Sequence, residues 1–269
     1  MTATRSLSDL LLSLRLDLYE TLPTPVARLR HGTADFLKCG YPKSGNNWVH
    51  FLIANAIVGA AGRTDDVHFR NNDEWLSTTV PKEPPVDGFP RMLSNTDPYD
   101  DQQYLDADTD VLYIVRHPGD VMESFYHYRK YRWNDDVGTF SEFIRGERWG
   151  VPAWRAHVES WEGNWDVLVR FEDLKQDSLA ELRRIVELFD HAFDEATLEY
   201  AAERSSFETM RRMEEEYGKP ERHGANPDYT FMREGSSDRG EAYFDEADYR
   251  YLDRAAGDAM DRYGYETPI

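Results

Sequence analysis

Two segments of this 269-residue chain, residues 39–48 and 111–124, constrain its fold more than any other part of the sequence. In the first, a short apolar run predicts a strand, which leads through a loop with two glycines into a helical pattern. In the second, an apolar strand ends at Arg116, and Ser124 follows eight positions later on the next predicted helix. Together the two segments predict a site with separate pockets for two phosphate-type groups of one ligand.

Strands alternate with helices along the chain. Strands are predicted over residues 34–39, 91–94, 111–116 and 167–171, and helices over 46–60, 120–131, 178–190, 194–204 and 244–263. This alternation is typical of an α/β fold in which helices flank a central parallel sheet in three layers. With the glycine loop after the first strand, it predicts a P-loop-like fold.

The organisation expected is a single domain over residues 1–269, because no internal repeat and no linker divides the chain. Leucines recur at helical spacing near the N-terminus, which predicts a helical segment within residues 1–30. The polar, proline-rich stretch 62–90 predicts a long surface loop, and loops of this kind often shape a pocket.

The charge of the chain excludes several classes of partner. The net charge is −20, with 51 acidic residues against 31 basic ones, of which only six are lysines. An acidic excess with little lysine favours a protein of a halophilic prokaryote, kept soluble in concentrated salt; an acidic mesophilic enzyme is the alternative. In either case, nucleic acids and anionic membrane surfaces are poor partners.

The sequence also indicates a compartment. Its one cysteine, Cys39, ends a predicted core strand, so no intrachain disulfide is expected and the thiol should be buried. The apolar N-terminal stretch is interrupted by Arg15 and Asp17, which does not fit a signal peptide. No apolar run approaches the roughly 18 residues of a membrane span, and the expected location is the cytoplasm.

The first glycine loop indicates anion binding without a metal. Gly40 and Gly45 keep the spacing of a phosphate-binding P-loop, but Asn46 and Asn47 stand where a Walker lysine and hydroxyl belong. The lysine lies inside the loop, as Lys43. Backbone N–H groups at the following helix N-terminus would still suit an anion. An ordinary strand–turn–helix connection is the alternative.

Arg116 is the second indication of an anion site. It ends a buried strand, where an unpaired charge is costly, so it needs an anion nearby. Ser124 lies one to two helical turns further and can face the same point. The alternative is an internal ion pair with Asp120. Ligands of open α/β sheets bind at the ends of parallel strands, which favours the functional interpretation.

At these residues the chain resembles the cytosolic-type sulfotransferases, which use 3′-phosphoadenosine 5′-phosphosulfate (PAPS). Tyr41–Trp48 matches the family's first motif, Tyr-Pro-Lys-Ser-Gly-Thr-Thr-Trp, except that both threonines are asparagines. Arg116–Ser124 matches its second motif. Three later segments match in order: Arg170–Leu174, Ser205–Phe207 and Phe231–Gly235. The resemblance therefore covers roughly residues 33–250.

The resemblance implies a role for each matching residue. Lys43 would stabilise the bridging oxygen as the sulfuryl group leaves in an in-line displacement. The residues implied for PAPS and its product, adenosine 3′,5′-bisphosphate (PAP), fall into three groups. They are Ser44, Gly45, Asn46 and Asn47 for the 5′-phosphate; Trp48, Phe171, Ser205 and Phe207 for adenine; and Arg116, Ser124, Arg233, Glu234 and Gly235 for the 3′-phosphate.

The chain departs from the family at the catalytic base. The family's Lys-Thr-His-x-Pro segment corresponds to residues 94–98, where Ser94 replaces the lysine and Thr96 replaces the histidine. Asp97 or His68 could accept the proton instead, since a carboxylate can serve as a base. The alternatives are a turn cap before Pro98 for Asp97, a solvated loop histidine for His68, and an acceptor acidic enough to need little help. The catalytic set expected is therefore Lys43, Asp97 and Ser124, with no metal ligand.

The last loop departs too. Glu234 stands where the family has a lysine beside the 3′-phosphate, and Arg239 could restore the charge. The family's dimerisation segment is not recognisable near the C-terminus, so the oligomeric state stays open.

Three functions follow from the sequence. The first is transfer of a sulfuryl group from PAPS to a hydroxyl or amine of a small-molecule, lipid or glycan acceptor. The second is binding of PAPS or PAP with weak or lost transfer, and the third is a P-loop kinase. Aromatic side chains around the expected acceptor pocket fit ordinary packing equally well. They are Tyr126, Tyr128, Trp133, Phe140, Phe143 and Trp149.

Overall fold

The computed structural model describes residues 31–63, 67–218, 226, 229–230 and 243–267. The helical segment predicted within residues 1–30 lies outside the described residues. So do Arg233, Glu234, Gly235 and Arg239, which the sequence assigned to the last loop of the site.

The centre of the protein is a sheet of four parallel strands. They are β1 (Phe36–Gly40), β2 (Met92–Asn95), β3 (Asp110–Val115) and β4 (Val167–Arg170). The strand order is β2-β1-β3-β4, so β1 pairs with both β2 and β3. The parallel sheet predicted from the alternating pattern is confirmed, and all four carboxyl ends lie at one edge.

Helices follow the strands on both sides. In the described part of the chain they are α1 (Asn46–Ala60), α2 (Asn72–Trp75), α3 (Pro118–His127), α4 (Phe140–Arg145), α5 (Val151–Trp161), α6 (Phe171–Gln176), α7 (Ser178–Val186), α8 (Glu195–Arg204), α9 (Phe207–Tyr217) and α10 (Glu246–Arg262). A 3₁₀ turn covers Tyr99–Asp101, and a π-helical turn covers Tyr128–Arg132. None of these helices is long and apolar enough to cross a membrane.

Helix α1 has the bounds that the sequence predicted, whereas two neighbouring elements differ. The helix predicted over 120–131 begins at Pro118 and changes to the π-helical turn at Tyr128. Proline at the first helical position needs no N–H partner, which explains the earlier start. The strand predicted over 167–171 ends at Arg170, because Phe171 already begins α6.

Side chains of the sheet alternate between two apolar layers. Leu37, Cys39 and Tyr113 point into the layer formed with α5 and α10. Phe36 and Leu112 point into the layer formed with α1, α7 and α8. Helix α1 is buried over ten successive residues, from Val49 to Val58, because the sheet and α8 enclose it. The three-layer α/β arrangement predicted from the sequence is confirmed.

Two histidines are enclosed in this core. Nε2 of His50 on α1 contacts the carbonyl oxygen of Asn72 at 2.8 Å. On α5, Nε2 of His157 contacts the carbonyl oxygen of Thr96 at 3.2 Å, while Nδ1 lies 2.9 Å from the Tyr113 hydroxyl. A carbonyl can only accept, so each Nε2 donates, and Nδ1 of His157 accepts from the hydroxyl. Burial lowers the pKa of both rings to about 4.

These two pKa shifts predict a loss of stability in mild acid. Below pH ~6.5 the unfolded chain binds protons that the native rings do not bind until the pH approaches their lowered pKa. For His157 alone, lowering the pH from 7 to 4.5 should cost roughly 2–3 kcal/mol of the free energy of unfolding. Denaturant titrations at the two pH values measure this loss.

His157→Gln should reduce that pH dependence by the same amount. Equal acid losses in the parent and in His157→Gln would show that His157 does not remain neutral in the native protein.

Candidate active site

The segments that directly follow the four strands meet at one edge of the sheet. The loop 41–45 follows β1, Thr96 and Asp97 follow β2, Arg116 follows β3, and Phe171 follows β4. Ligands of open α/β sheets bind in the crevice at this edge. The structure therefore brings together the residues that the sequence assigned to the 5′-phosphate, Arg116 of the 3′-phosphate group, and Trp48 and Phe171 of the adenine group.

The loop 41–45 bends through two residues with positive φ, Lys43 at 74° and Gly45 at 106°. The N–H of Ser44 donates to the carbonyl oxygen of Tyr41 at 3.1 Å, so this expected anion donor closes the turn. Helix α1 begins without a side-chain cap, which leaves the N–H groups of its first turn available to an anion. Asn46 and Trp48 belong to that turn.

Ser44 carries a polar atom that fits a bound ligand. Its side chain is fully buried, and Oγ has no hydrogen-bond partner in the described part of the protein. A buried hydroxyl without a partner costs free energy, which a phosphate oxygen at the helix terminus would recover. The loop thus suits the 5′-phosphate role that the resemblance implied for residues 44–47.

Asn46 braces the loop by joining its two ends. Its Nδ2 donates to the carbonyl oxygens of Gly40 and Tyr41, both at 3.1 Å. Gly40 itself tolerates no side chain, because a Cβ there would lie 2.5 Å from the carbonyl oxygen of Ile114 on β3. The asparagine that replaces the family's threonine therefore holds the entry and exit of the loop together.

Arg116 contacts both neighbouring segments. One guanidinium nitrogen, NH1, donates to the carbonyl oxygen of Lys43 at 3.3 Å, and NH2 lies 3.3 Å from the Asp120 carboxylate. The guanidinium carbon lies 4.1 Å from the centre of the Phe171 ring. The internal ion pair with Asp120, one of the two interpretations from the sequence, is present.

This ion pair does not use all the donors of Arg116. Burial raises the pKa of the Asp120 carboxyl above its ordinary value, although Arg116 acts in the opposite direction. The Nε of Arg116 is buried and has no hydrogen-bond partner among the described residues. Since a guanidinium has five N–H donors, Arg116 can bind an additional anion while it keeps Asp120.

The aromatic part of the site lies between the two anion-binding groups. The rings of Trp48 and Phe171 are 5.8 Å apart and nearly perpendicular. Phe171 also packs on Gly45, where an added Cβ would lie 2.7 Å from a carbon of the Phe171 ring. An aromatic ring of this kind offers a face on which a planar base can pack.

The other two residues assigned to adenine lie on the turn between α8 and α9. Ser205 is fully buried, and its hydroxyl accepts a hydrogen bond from Nδ2 of Asn55 on α1 at 3.1 Å. Phe207 is the first residue of α9 and is partly buried. The Ser205 side chain is therefore engaged in joining this turn to α1.

Lys43 lies beside α3 and the π-helical turn. Its ammonium nitrogen is 4.6 Å from the centre of the Tyr128 ring. Ser124 is partly buried on α3, one helical turn before Tyr128, so the two residues share one helix face. The structure thus places Lys43 and the Ser124 face on adjoining segments.

The turn at Thr96 and Asp97 has a fixed backbone and exposed side chains. The carbonyl oxygen of Asp97 accepts hydrogen bonds from Nε2 of Gln102 and Nε1 of Trp161, both at 3.0 Å. Thr96 and Asp97 are both exposed. Sequence reasoning missed His157, which lies directly behind this turn; both its nitrogens are engaged, so the ring holds the turn in place rather than accepting a proton.

His68, the other candidate base, lies against a different part of the protein. Its ring stacks on Tyr217 at the end of α9, with 4.4 Å between ring centres. Its Nδ1 accepts a hydrogen bond from the backbone N–H of Arg70 at 3.2 Å. His68 is thus engaged by its own loop and by α9.

Glu172 is a positioning residue that sequence reasoning did not assign. Its carboxylate accepts a hydrogen bond from the backbone N–H of His117 at 3.0 Å and one from the Tyr265 hydroxyl at 2.8 Å. These bonds connect the ends of β3 and β4 to the C-terminal segment and fix the backbone next to Arg116. The only sequence signal was its place between Phe171 and Asp173 in a matching motif.

The aromatic segment assigned to the acceptor pocket divides into two groups. Tyr126, Phe140 and Phe143 are buried and pack on one another, with ring centres 5.5 Å from Tyr126 in both cases. Trp149 lies between the guanidinium groups of Arg129 and Arg148 at 4.0 and 4.5 Å. The first group is ordinary core packing, whereas Tyr128 faces Lys43.

Among the described residues, no group of three metal-ligating side chains occurs.

The chain belongs to the sulfotransferase domain family, whose model matches residues 33–264. It is 30% identical over 198 residues to sulfotransferase 1C2 of Oryctolagus cuniculus, a match that covers 66% of this chain and 66% of that protein. It is also 24% identical over 246 residues to sulfotransferase 2A6 of Rattus norvegicus, which covers 84% of each chain.

Solved structures show the same fold. The mouse sulfotransferase SULT7A1, crystallised with PAP, superposes with a TM-score of 0.61 at 21% identity and covers 84% of both chains. Retinol dehydratase, crystallised with retinol and PAP, superposes with a TM-score of 0.62 at 16% identity over 87% of this chain and 83% of its own. The P-loop-like α/β fold predicted from the sequence is thereby confirmed.

The contact between Gly45 and Phe171 predicts a destabilising substitution. Gly45→Ala adds a side chain at positive φ and forces the Phe171 ring to move, which should lower the free energy of unfolding by about 2–3 kcal/mol. Gly163→Ala is the matched control, since Gly163 also has positive φ but has open space around its Cβ position. The free energy of unfolding of Gly163→Ala should fall only by the part due to backbone strain, about 1 kcal/mol.

Chemical denaturation of the two variants gives these free energies, and near-ultraviolet circular dichroism reports on Trp48 and Phe171. The expected result is a changed spectrum for Gly45→Ala alone. Equal losses and unchanged spectra in both variants would contradict the close packing of Phe171 on the loop.

Proposed function

We propose that this protein is a sulfotransferase that moves a sulfuryl group from PAPS to a hydroxyl or amine of an acceptor. The observation that carries the proposal is the pair of anion-binding groups at one sheet edge, with an aromatic surface between them. The loop before α1, with the unpartnered Ser44 hydroxyl, suits the 5′-phosphate. Arg116, with its unpartnered Nε, suits the 3′-phosphate. Membership of the family and the PAP bound in two structural neighbours support it.

The reaction needs orientation and charge stabilisation. The bond between sulfur and the bridging phosphate oxygen breaks while the acceptor oxygen or nitrogen bonds to sulfur. Lys43, on the loop and beside Tyr128, stabilises the negative charge that develops on the bridging oxygen. Ser124 lies on the adjoining face of α3 and contributes a hydroxyl donor. No metal has a role in the proposal, because asparagines follow Gly45 where a Walker loop has its hydroxyl.

The proton of the acceptor goes to Asp97 or directly to solvent. Asp97 ends the β2 segment at the same edge of the sheet, and its exposed carboxylate can accept a proton. A phenolic acceptor, which ionises near pH 10, needs less help than an aliphatic alcohol. The proposal therefore favours acceptors with acidic hydroxyls over simple alcohols among small molecules, lipids and glycans.

A second candidate function is binding of PAPS or PAP with little transfer. The observation that favours it is the Thr96 turn, where an exposed threonine stands at the position that the resemblance gives to the family's histidine. His157 behind the turn has both ring nitrogens engaged. A lack of sulfuryl transfer that persists with phenols, alcohols and amines as acceptors would support this function.

Lys43→Ala separates transfer from binding. Removing the cation should slow sulfuryl transfer by about 10²–10³-fold, the usual loss of one charge-stabilising group. Release of PAP in the presence of PAPS and a panel of phenols, alcohols and amines measures the rate, and calorimetry measures the affinity for PAP. The affinity should fall by less than about tenfold, since backbone N–H groups and Arg116 remain.

Lys82→Ala is the control for this experiment, because Lys82 is an exposed lysine whose ion pair with Asp73 is long at 4.0 Å. It should transfer at the parent rate. Equal rates for Lys43→Ala and the parent would refute the role of Lys43. If the parent is active, and Asp97→Asn slows the transfer to alcohols but not the transfer to phenols, Asp97 is the base.

A further inference from the structure

Lys38 is a fully buried lysine in the middle of β1, and its side chain is 1% exposed. Phe36 two residues earlier belongs to the layer beneath α1, and strand alternation places Lys38 on the same side. Burying an ammonium group is costly unless a partner compensates. Core strands rarely carry a lysine for this reason, so its place beneath the loop requires an explanation.

The one side-chain hydrogen bond of Lys38 within the described structure goes to the residue that follows loop 41–45, which is called the anion loop below. Its Nζ donates to Oδ1 of Asn46, the first residue of α1, at 3.4 Å. Asn46 in turn donates to the carbonyl oxygens of Gly40 and Tyr41. The ammonium group thus orients the side chain that braces the loop, and its charge lies under the helix terminus where an anion would bind.

No carboxylate of the described residues compensates this charge. The groups that face Lys38 are His50 and Asn46 on α1 and Ser94, its partner in register on β2, while Cys39, the next residue on β1, points into the opposite layer. Leu112, its partner on β3, has no titratable group. Burial lowers the pKa of Lys38 to about 7, and Cys39 opposes this shift. An anion bound at the loop is the compensating charge that these surroundings lack.

The register of the sheet adds a second observation. Lys38 pairs with Ser94, and partners in register project on the same side of a parallel sheet. Ser94 stands where the sulfotransferase motif carries a lysine. The positive charge missing from β2 is therefore present on the adjacent strand, at the same level of the sheet.

We propose that Lys38 is a positioning residue of the anion loop, which replaces the missing lysine of β2 and takes up a proton when the 5′-phosphate group of the nucleotide binds. The inference rests on the proposed function, because PAP is the ligand that it concerns. Lys38 acts through its hydrogen bond to Asn46 and through its charge. Lys43 remains the residue that contacts the bridging oxygen.

The experiment is calorimetric titration with PAP at pH 8 in two buffers of different ionisation enthalpy. At this pH phosphate monoesters, with a second pKa near 6, are already fully ionised and contribute little proton exchange. The parent should take up a measurable fraction of a proton per PAP bound, because burial lowers the pKa of Lys38 and an anion bound at the loop would raise it again. Lys38→Met should lose this uptake and bind PAP about tenfold more weakly.

Thermal unfolding distinguishes this effect from misfolding. Methionine is apolar and similar in length, so Lys38→Met should be as stable as the parent or more stable without ligand, because a buried charge has been removed. The second variant combines Lys38→Met with Ser94→Lys and should recover most of the lost affinity, since the charge returns from the neighbouring strand. Lys82→Met is the surface control and should match the parent in affinity and proton uptake.

The outcomes separate the two proposals. If the parent does not bind PAP, the proposed function fails. If the parent binds PAP and Lys38→Met shows the same affinity and proton uptake, only the inference about Lys38 is refuted. It is equally refuted if Lys38→Met is less stable and Ser94→Lys fails to restore binding, since Lys38 would then have a packing role alone.

Discussion

Parallel pairing of β1 with both β2 and β3 is the constraint on which the site depends. Parallel strands place their carboxyl ends at one edge, so the chain must leave the sheet there each time. Loop 41–45, the Thr96 turn, Arg116 and Phe171 all lie directly after strands. Because these segments are short and directly attached to the sheet, few additional contacts are needed to fix their relative positions.

Those contacts are made by polar side chains that cross from one segment to the next. Arg116 joins the β3 end to the carbonyl of Lys43 and to the Phe171 ring. Glu172 joins the β4 end to the backbone after Arg116. Asn46 closes the loop after β1. Each side chain thus has a role in holding the site as well as any role toward a ligand.

The charge of the site is positive, whereas the net charge of the whole protein is negative. A chain with a net charge of −20 repels an anionic ligand at long range, and salt reduces that repulsion to short distances. Attraction must therefore come from groups close to the ligand. Arg116 is largely shielded from water, at 13% side-chain exposure, and Lys38 is fully buried. Local, poorly hydrated cations act more strongly than the many exposed acidic groups.

Much of this arrangement could be predicted from the sequence, since it depends on local patterns. The apolar strands, the glycine loop and the bounds of α1 follow from periodicity and turn residues. The start of α6 at Phe171 and the π-helical turn at Tyr128 were not predicted; both residues contact the loop, Phe171 at Gly45 and Tyr128 at Lys43, and a local pattern does not contain such contacts. Partners distant in sequence, such as His157 behind Thr96 and Ser94 beside Lys38, depend on strand order and register. A single sequence does not specify these.

Calorimetric binding of PAP, ADP and ATP to the parent and to Arg116→Ala, in concentrated potassium chloride without magnesium, tests the two-phosphate site most directly. The parent should bind PAP more tightly than ADP, and Arg116→Ala should remove most of this difference while ADP binding changes little. Equal affinity of the parent for PAP and ADP, or binding of ATP only when magnesium is added, would contradict the two-phosphate site and favour a kinase.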